Sequence, residues 1–156
     1  MNAQKFTQKS LEAIQEAQNL AIEYQNMQIE ESHLIVALIR QENGLIAQLL
    51  KKMELDSEAV ETAAMAEVEK LPRVTGSGRE SGKVYISAAV DSALVYAEQM
   101  AEKMKDDYVS VEHVFLSLLE NPDDAAKRIF AQFGIEKNKF LAVLQSVRGN
   151  TRVTSD

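Results

Sequence analysis

Sliding the chain against itself by 80 positions, without a gap, superimposes Ala13 on Ala93, Ala17 on Ala97, Ala21 on Ala101, His33 on His113 and Leu38 on Leu118. Similar apolar residues fill the intervals: Ile14 meets Leu94, Leu20 meets Met100, Ile29 meets Val109, Leu34 meets Val114, Leu50 meets Phe130 and Leu55 meets Ile135. A register this long marks an internal duplication, which restricts the fold to two copies of one supersecondary unit. The copies occupy about residues 5–70 and 84–149. Neither has enough volume to hide its own apolar faces, so the expected arrangement packs them together about a pseudo-twofold axis.

Each copy reads as four helices, giving an all-α fold of about eight. The first helix starts where Thr7, or Ser87 in the second copy, can cap free backbone N–H groups, with Phe6 placed to staple onto Leu11. Val90, Ala93, Leu94, Ala97, Ala101 and Met104 then recur at the spacing of one buried helical stripe. A second helix follows Glu30 or Ser110, with Leu34, Leu38 and Ile39, or Val114, Leu118 and Leu119, as its core face. The third is expected at about 45–53 and, after Asn121-Pro122, at about 124–133; the fourth begins near Asp56 and near Glu136. Between the copies, residues 71–83 hold three of the six glycines and one of the two prolines, the composition of a linker.

Composition narrows the function classes. With 24 acidic against 17 basic residues the formal charge is −7, so nucleic acid and anionic membranes are repelled at long range. The absence of cysteine removes disulfides, thiolate metal sites and thiol catalysis, and suits the cytoplasm. The opening Met1-Asn2-Ala3-Gln4-Lys5-Phe6 lacks the apolar run of a signal peptide, and no stretch approaches the ~18 uninterrupted apolar residues of a membrane span. The expectation is a chain neither exported nor embedded.

Chemistry is scarce. Gly78, Gly82 and Lys83 suggest a phosphate-binding loop, but Ser77 and Val84 stand where that pattern needs glycine and a hydroxyl residue, and no buried strand precedes them. His33 and His113 occupy equivalent positions, which duplication alone explains, and no neighbouring cluster supplies the further ligands a zinc site needs. Paired carboxylates such as Glu30-Glu31 and Asp123-Asp124 sit at helix starts, where they complement the macrodipole. Nothing assembles into a nucleophile, base and orienter, so no enzyme activity and no cofactor are expected in these residues. The informative asymmetry lies on the first helix of copy two. Tyr96 and Met100 stand one turn apart and off the core stripe, where copy one has Glu16 and Leu20. They form either an apolar groove edge or a packing surface for the other copy.

The duplicated motif, with Ile29-Glu30-Glu31-Ser32-His33-Leu34, Val109-Ser110-Val111-Glu112-His113-Val114 and the Leu71-Pro72-Arg73-Val74-Thr75-Gly76 segment, resembles the amino-terminal domain of the Clp family of AAA+ chaperones. The resemblance covers essentially the whole chain. The linker and the closing Val147-Arg148-Gly149-Asn150-Thr151-Arg152-Val153 are most similar to the ClpB-type disaggregase branch. It implies a mobile domain tethered, from Asn150 to Asp156 onward, to two AAA+ modules of a ClpB hexamer that threads polypeptide out of aggregates with a DnaK-type chaperone system. ATP and magnesium belong to those absent modules, so the isolated domain is expected to be a monomer.

By the same resemblance, the domain binds unfolded or aggregated polypeptide through an apolar groove carried by Tyr96, Met100 and His113 and a polar cluster of Thr7, Asp106 and Glu112. ClpB relatives often carry leucines at the groove positions, and Tyr96 and His113 depart from that. ClpC relatives hold phosphorylated arginine with a Glu-His pair in both copies; here copy one reads Ser32-His33 and only copy two keeps Glu112-His113, which counts against a paired phosphoarginine site. For Thr7 and Glu112, helix-end capping is the competing role. The alternative at the level of function is docking of a folded adaptor, as in ClpA or ClpC.

Overall fold

The computed structural model describes residues 1–74, 84–149 and 151–155. Most of the linker, including the rejected phosphate-loop residues Gly78, Gly82 and Lys83, lies outside the described residues, as do Asn150 and Asp156 of the tether. Eight α-helices stand in the described residues: α1 Gln8–Glu23, α2 Glu31–Arg40, α3 Leu45–Lys52, α4 Ser57–Lys70, α5 Ala88–Lys103, α6 Val111–Glu120, α7 Asp124–Phe133 and α8 Lys137–Arg148. Among the described residues no helix is long and apolar enough to cross a membrane.

Local chemistry sets the helix ends. Thr7 and Ser87 cap α1 and α5 by accepting the N–H of Ser10 and Val90, and Asp56 and Asp123 do the same for α4 and α7. At their C-termini, α1 and α5 close with the amides of Asn26 and Asp106 donating back to the carbonyls of Ala21 and Ala101, both at 2.9 Å. Helices α3 and α7 close the same way, through Leu55 to Leu50 and Ile135 to Phe130. These are Schellman-type closures, which need a left-handed residue, supplied by Gln25, Lys105, Glu54 and Gly134.

Helices α2 and α6 form the centre. Every residue from Glu31 to Ile39 and from Val111 to Leu118 is buried, because each helix is covered by its own copy on one side and by the other copy elsewhere. Helix α1 packs on α2 and α5 on α6; across the copies α4 meets α7, and its symmetry mate α8 meets α3.

The twofold relation is visible in the backbone. A two-residue strand β1, Gln28–Ile29, runs parallel to β2, Tyr85–Ile86, with Ile29 opposite Ile86. Its mate is the parallel bridge between Phe6 and Val109. Accordingly Thr7 N–H donates to the Val109 carbonyl and Ser87 N–H to the Ile29 carbonyl, each at 2.9 Å. Each copy therefore threads its first segment onto the other copy, which ties the two into one core.

Candidate functional site

The two histidines are structural pivots of their own copies. His33 Nδ1 accepts the Glu30 amide at 2.8 Å, and its Nε2 lies 2.7 Å from Asn26 Oδ1. His113 repeats this with the Ser110 amide at 2.9 Å and Asp106 Oδ2 at 2.6 Å. An Nδ1 that accepts an N–H leaves the ring proton on Nε2, so both rings are neutral donors to the residue seven positions earlier. Burial drives both pKa values down, that of His33 to about 4. Among the described residues no group of three or more His, Asp or Glu side chains could hold a metal ion.

Copy two differs in charge. Asp106 Oδ1 accepts the Val153 amide at 2.9 Å and the Arg148 guanidinium, while the Asp107 amide donates to the Val153 carbonyl at 2.7 Å. Burial pushes the Asp106 carboxyl up, but Arg148, the Val153 amide and His113 together outweigh it and hold it below its usual range. Arg148 also reaches to 4.0 Å from Glu112, and its Nη1 is buried without a hydrogen-bond partner.

Thr7 approaches the same segment from α1, through its amide on Val109 and through Ser10, whose hydroxyl donates to the Val109 carbonyl at 3.0 Å. Thr7, Asp106 and Glu112 thus gather around residues 106–112, all nearly buried. Of the three, Asp106 is fully engaged inside the protein, Thr7 is engaged as a helix cap, and Glu112 faces Arg148.

The three apolar positions do not share one surface. His113 has no exposed area, enclosed between Ser110 and Asp106, and so cannot line a groove. Met100 is half-buried against the core. Tyr96 lines a cleft of about 210 Å³ with Ala89, Ala93, Pro122, Asp123 and Glu31, and neither Met100 nor His113 reaches it. Glu31, at the start of α2 in copy one, is 1% exposed and accepts the Asp123 amide at 3.0 Å, which fastens the α6–α7 loop of copy two. Burial, with Asp123 and Glu30 as like-charged neighbours, raises its pKa to about 7, against the pull of the Asp123 amide. Sequence reasoning took Glu31 for a helix-start acid; only the packing of the second copy over α2 reveals it as a cleft wall. Arg148 was likewise invisible as the partner of Asp106, since the two lie 42 residues apart in sequence.

The architecture is a duplicated helical domain whose copies exchange their first segments and carry twofold-related clefts. The family model of the Clp repeat (R) N-terminal domain matches residues 5–133, and the chain belongs to that family. Over 155 residues it is 42% identical to the chaperone protein ClpB of Bacillus cereus, covering 99% of this chain and 18% of that protein, so it spans about a fifth of the relative's length. In structure it is similar to the Hsp104 N-terminal domain from Candida albicans, with a TM-score of 0.82, 24% identity and coverage of 97% and 96% of the two chains. A complex of the ClpV N-domain with a VipB peptide matches at a TM-score of 0.66 and 18% identity, covering 90% and 88%.

Proposed function

We propose that the domain captures exposed segments of unfolded or aggregated polypeptide and passes them to the AAA+ ring of a ClpB-type disaggregase. The carrying observation is the Tyr96 cleft. It is walled by Ala89, Ala93 and Pro122, and its volume of about 210 Å³ admits one large side chain. A site that takes one side chain at a time binds weakly and accepts many sequences, which suits a relay rather than a store. The complex of a ClpV N-domain with a VipB peptide supports the reading that this fold receives peptide segments.

The test is titration of the domain with a permanently unfolded, fluorescently labelled protein and with a stably folded one. The expected result is weak, saturable binding of the unfolded ligand alone. Equal or absent binding to both would sink the proposal, and one-to-one binding of a folded adaptor would replace it with docking of the ClpA or ClpC kind.

A further inference from the structure

The cleft beside Tyr96 contains a buried carboxyl with no cation beside it among the described residues. A carboxylate removed from water is costly unless a cation or several donors compensate it. Glu31 receives one amide, from Asp123, and its charged neighbours Asp123 and Glu30 are themselves acidic. No lysine or arginine among the described residues lines the cleft. Lys137 comes near Tyr96 but is held by Glu120 at 2.6 Å.

The twofold-related cleft of copy one is charged differently: the counterpart of Glu31 is the apolar Val111, and the cleft carries its own cations. That cleft is lined by Lys9, Glu16 and Arg40, and the Arg40 guanidinium lies 3.7 Å from Glu16 and 3.1 Å from Glu61. Eighty positions later, Lys9 becomes Ala89, Glu16 becomes Tyr96 and Arg40 becomes Glu120. The cations have gone, an aromatic wall has replaced a carboxylate, and Glu31 enters from the opposite copy.

We propose that Glu31 is the anchor for a lysine or arginine side chain of the captured polypeptide, whose aliphatic stem lies along Tyr96 and Pro122 while its charged end pairs with the buried carboxylate. The charge complementarity commits the cleft to a basic side chain in an apolar segment, because a purely apolar one leaves Glu31 uncompensated. Long basic side chains are built for this, with a stem that packs on apolar surface and a head that hydrogen-bonds and interacts with an aromatic face. The inference rests on the polypeptide capture proposed above.

The test uses two fluorescent peptides of one apolar sequence, with a central lysine in one and norleucine in the other, titrated at pH 8 into the wild-type domain, Glu31→Gln and Glu69→Gln. Glutamine at 31 keeps an acceptor for the Asp123 amide, and thermal unfolding confirms that the variant is folded. A hydrogen bond to a charged group corresponds to about a tenfold or larger change in affinity, so the wild type should prefer the lysine peptide by about that factor. Glu31→Gln should abolish the preference without weakening the norleucine peptide. Glu69→Gln makes the same charge change at an exposed site and should keep the preference. Equal binding of both peptides by the wild type, a preference surviving in Glu31→Gln, or an equal loss in Glu69→Gln would overturn the inference while leaving polypeptide capture standing. Failure of either peptide to bind at all, together with failure of the unfolded protein, would overturn both.

Discussion

Asp106 accepts the Nε2 proton of His113 with one carboxylate oxygen and, with the other, holds the Val153 amide, so one side chain joins the pivot of copy two to the segment that leaves the domain. In copy one the place of Asp106 is taken by Asn26, which lies 2.7 Å from His33 and donates to the Pro72 carbonyl at 3.3 Å. Both copies therefore clamp the chain that exits their fourth helix onto the loop after their first. Only copy two does so with a charge, which Arg148 balances.

Asp106→Asn should release the tether. An asparagine that still accepts from His113 turns its NH2 toward the Val153 amide and Arg148, so donors face donors. The expected loss is ~1–3 kcal/mol of stability, the range for hydrogen bonds to a buried charged group. Hydrogen exchange should show the amides of Val153 and Asp107 losing protection while α1 to α4 keep theirs. Unchanged protection of these two amides would mean that Asp106 does not hold the exit segment. In the wild type the depressed Asp106 pKa contributes stability that is present above its ordinary value of 3.8 and is lost only as pH falls through the lower folded value.

His33 and Glu31 give opposite pH dependences. The His33 pKa falls to about 4 from 6.5, so between those values the unfolded chain binds the extra proton and stability rises with pH. The Glu31 pKa rises to about 7 from 4.5, so there the folded state binds the extra proton and stability falls as pH rises. In the wild type these two contributions oppose each other between pH 4.5 and 6.5. Glu31→Gln removes one of them, so its stability should climb with pH through that window and exceed the wild type by ~1–3 kcal/mol above pH 7, allowing for partial solvation of the cleft. Urea unfolding at several pH values measures this, and parallel profiles for the two proteins would refute it.

Glu54 and Gly134 occupy equivalent left-handed positions after α3 and α7, at φ 63° and 64°. Glycine adopts this conformation freely, whereas another L-residue is strained there by ~1 kcal/mol. Glu54 is exposed, so Glu54→Gly should raise stability by ~0.5 kcal/mol once the added freedom of the unfolded chain is subtracted. A lower denaturation midpoint would show that the Glu54 side chain contributes more than its backbone costs.

The fold was legible because duplication doubled every signal. The helix starts at Thr7, Ser87, Glu30, Ser110, Asp56 and Glu136 appear where the caps and the apolar stripe place them, since capping depends on residues within one turn. The pairing of Gln28–Ile29 with Tyr85–Ile86 was not legible, because two residues carry no period and their partners belong to the other copy. His113 shows the limit for the site. A histidine in the first turn of a helix reads equally as groove wall or internal cap, and the choice depends on Asp106, brought to it by the Schellman turn that ends α5. Glu31 was hidden for a related reason, since its environment is made by residues 89 to 123 of the other copy.

Tyr96 and Met100, one turn apart on α5, should separate binding from stability. Tyr96 is half-buried and faces the open cleft, so Tyr96→Ala removes an aromatic wall at modest cost to the core. Its unfolding midpoint should stay close to that of the wild type, while affinity for an unfolded protein falls by about fivefold or more, as expected for loss of a contact worth ~1 kcal/mol or above. Met100 packs against the core and lies outside the cleft, so Met100→Ala leaves a partly filled cavity. It should lower stability by ~1–2 kcal/mol, below the range for fully buried methionine, with affinity nearly unchanged wherever the domain remains folded. Binding and urea unfolding measured on both variants decide the matter. If Met100→Ala loses affinity while Tyr96→Ala keeps it, the receiving surface lies on the Met100 side of α5, and the cleft between Glu31 and Pro122 is not where polypeptide binds.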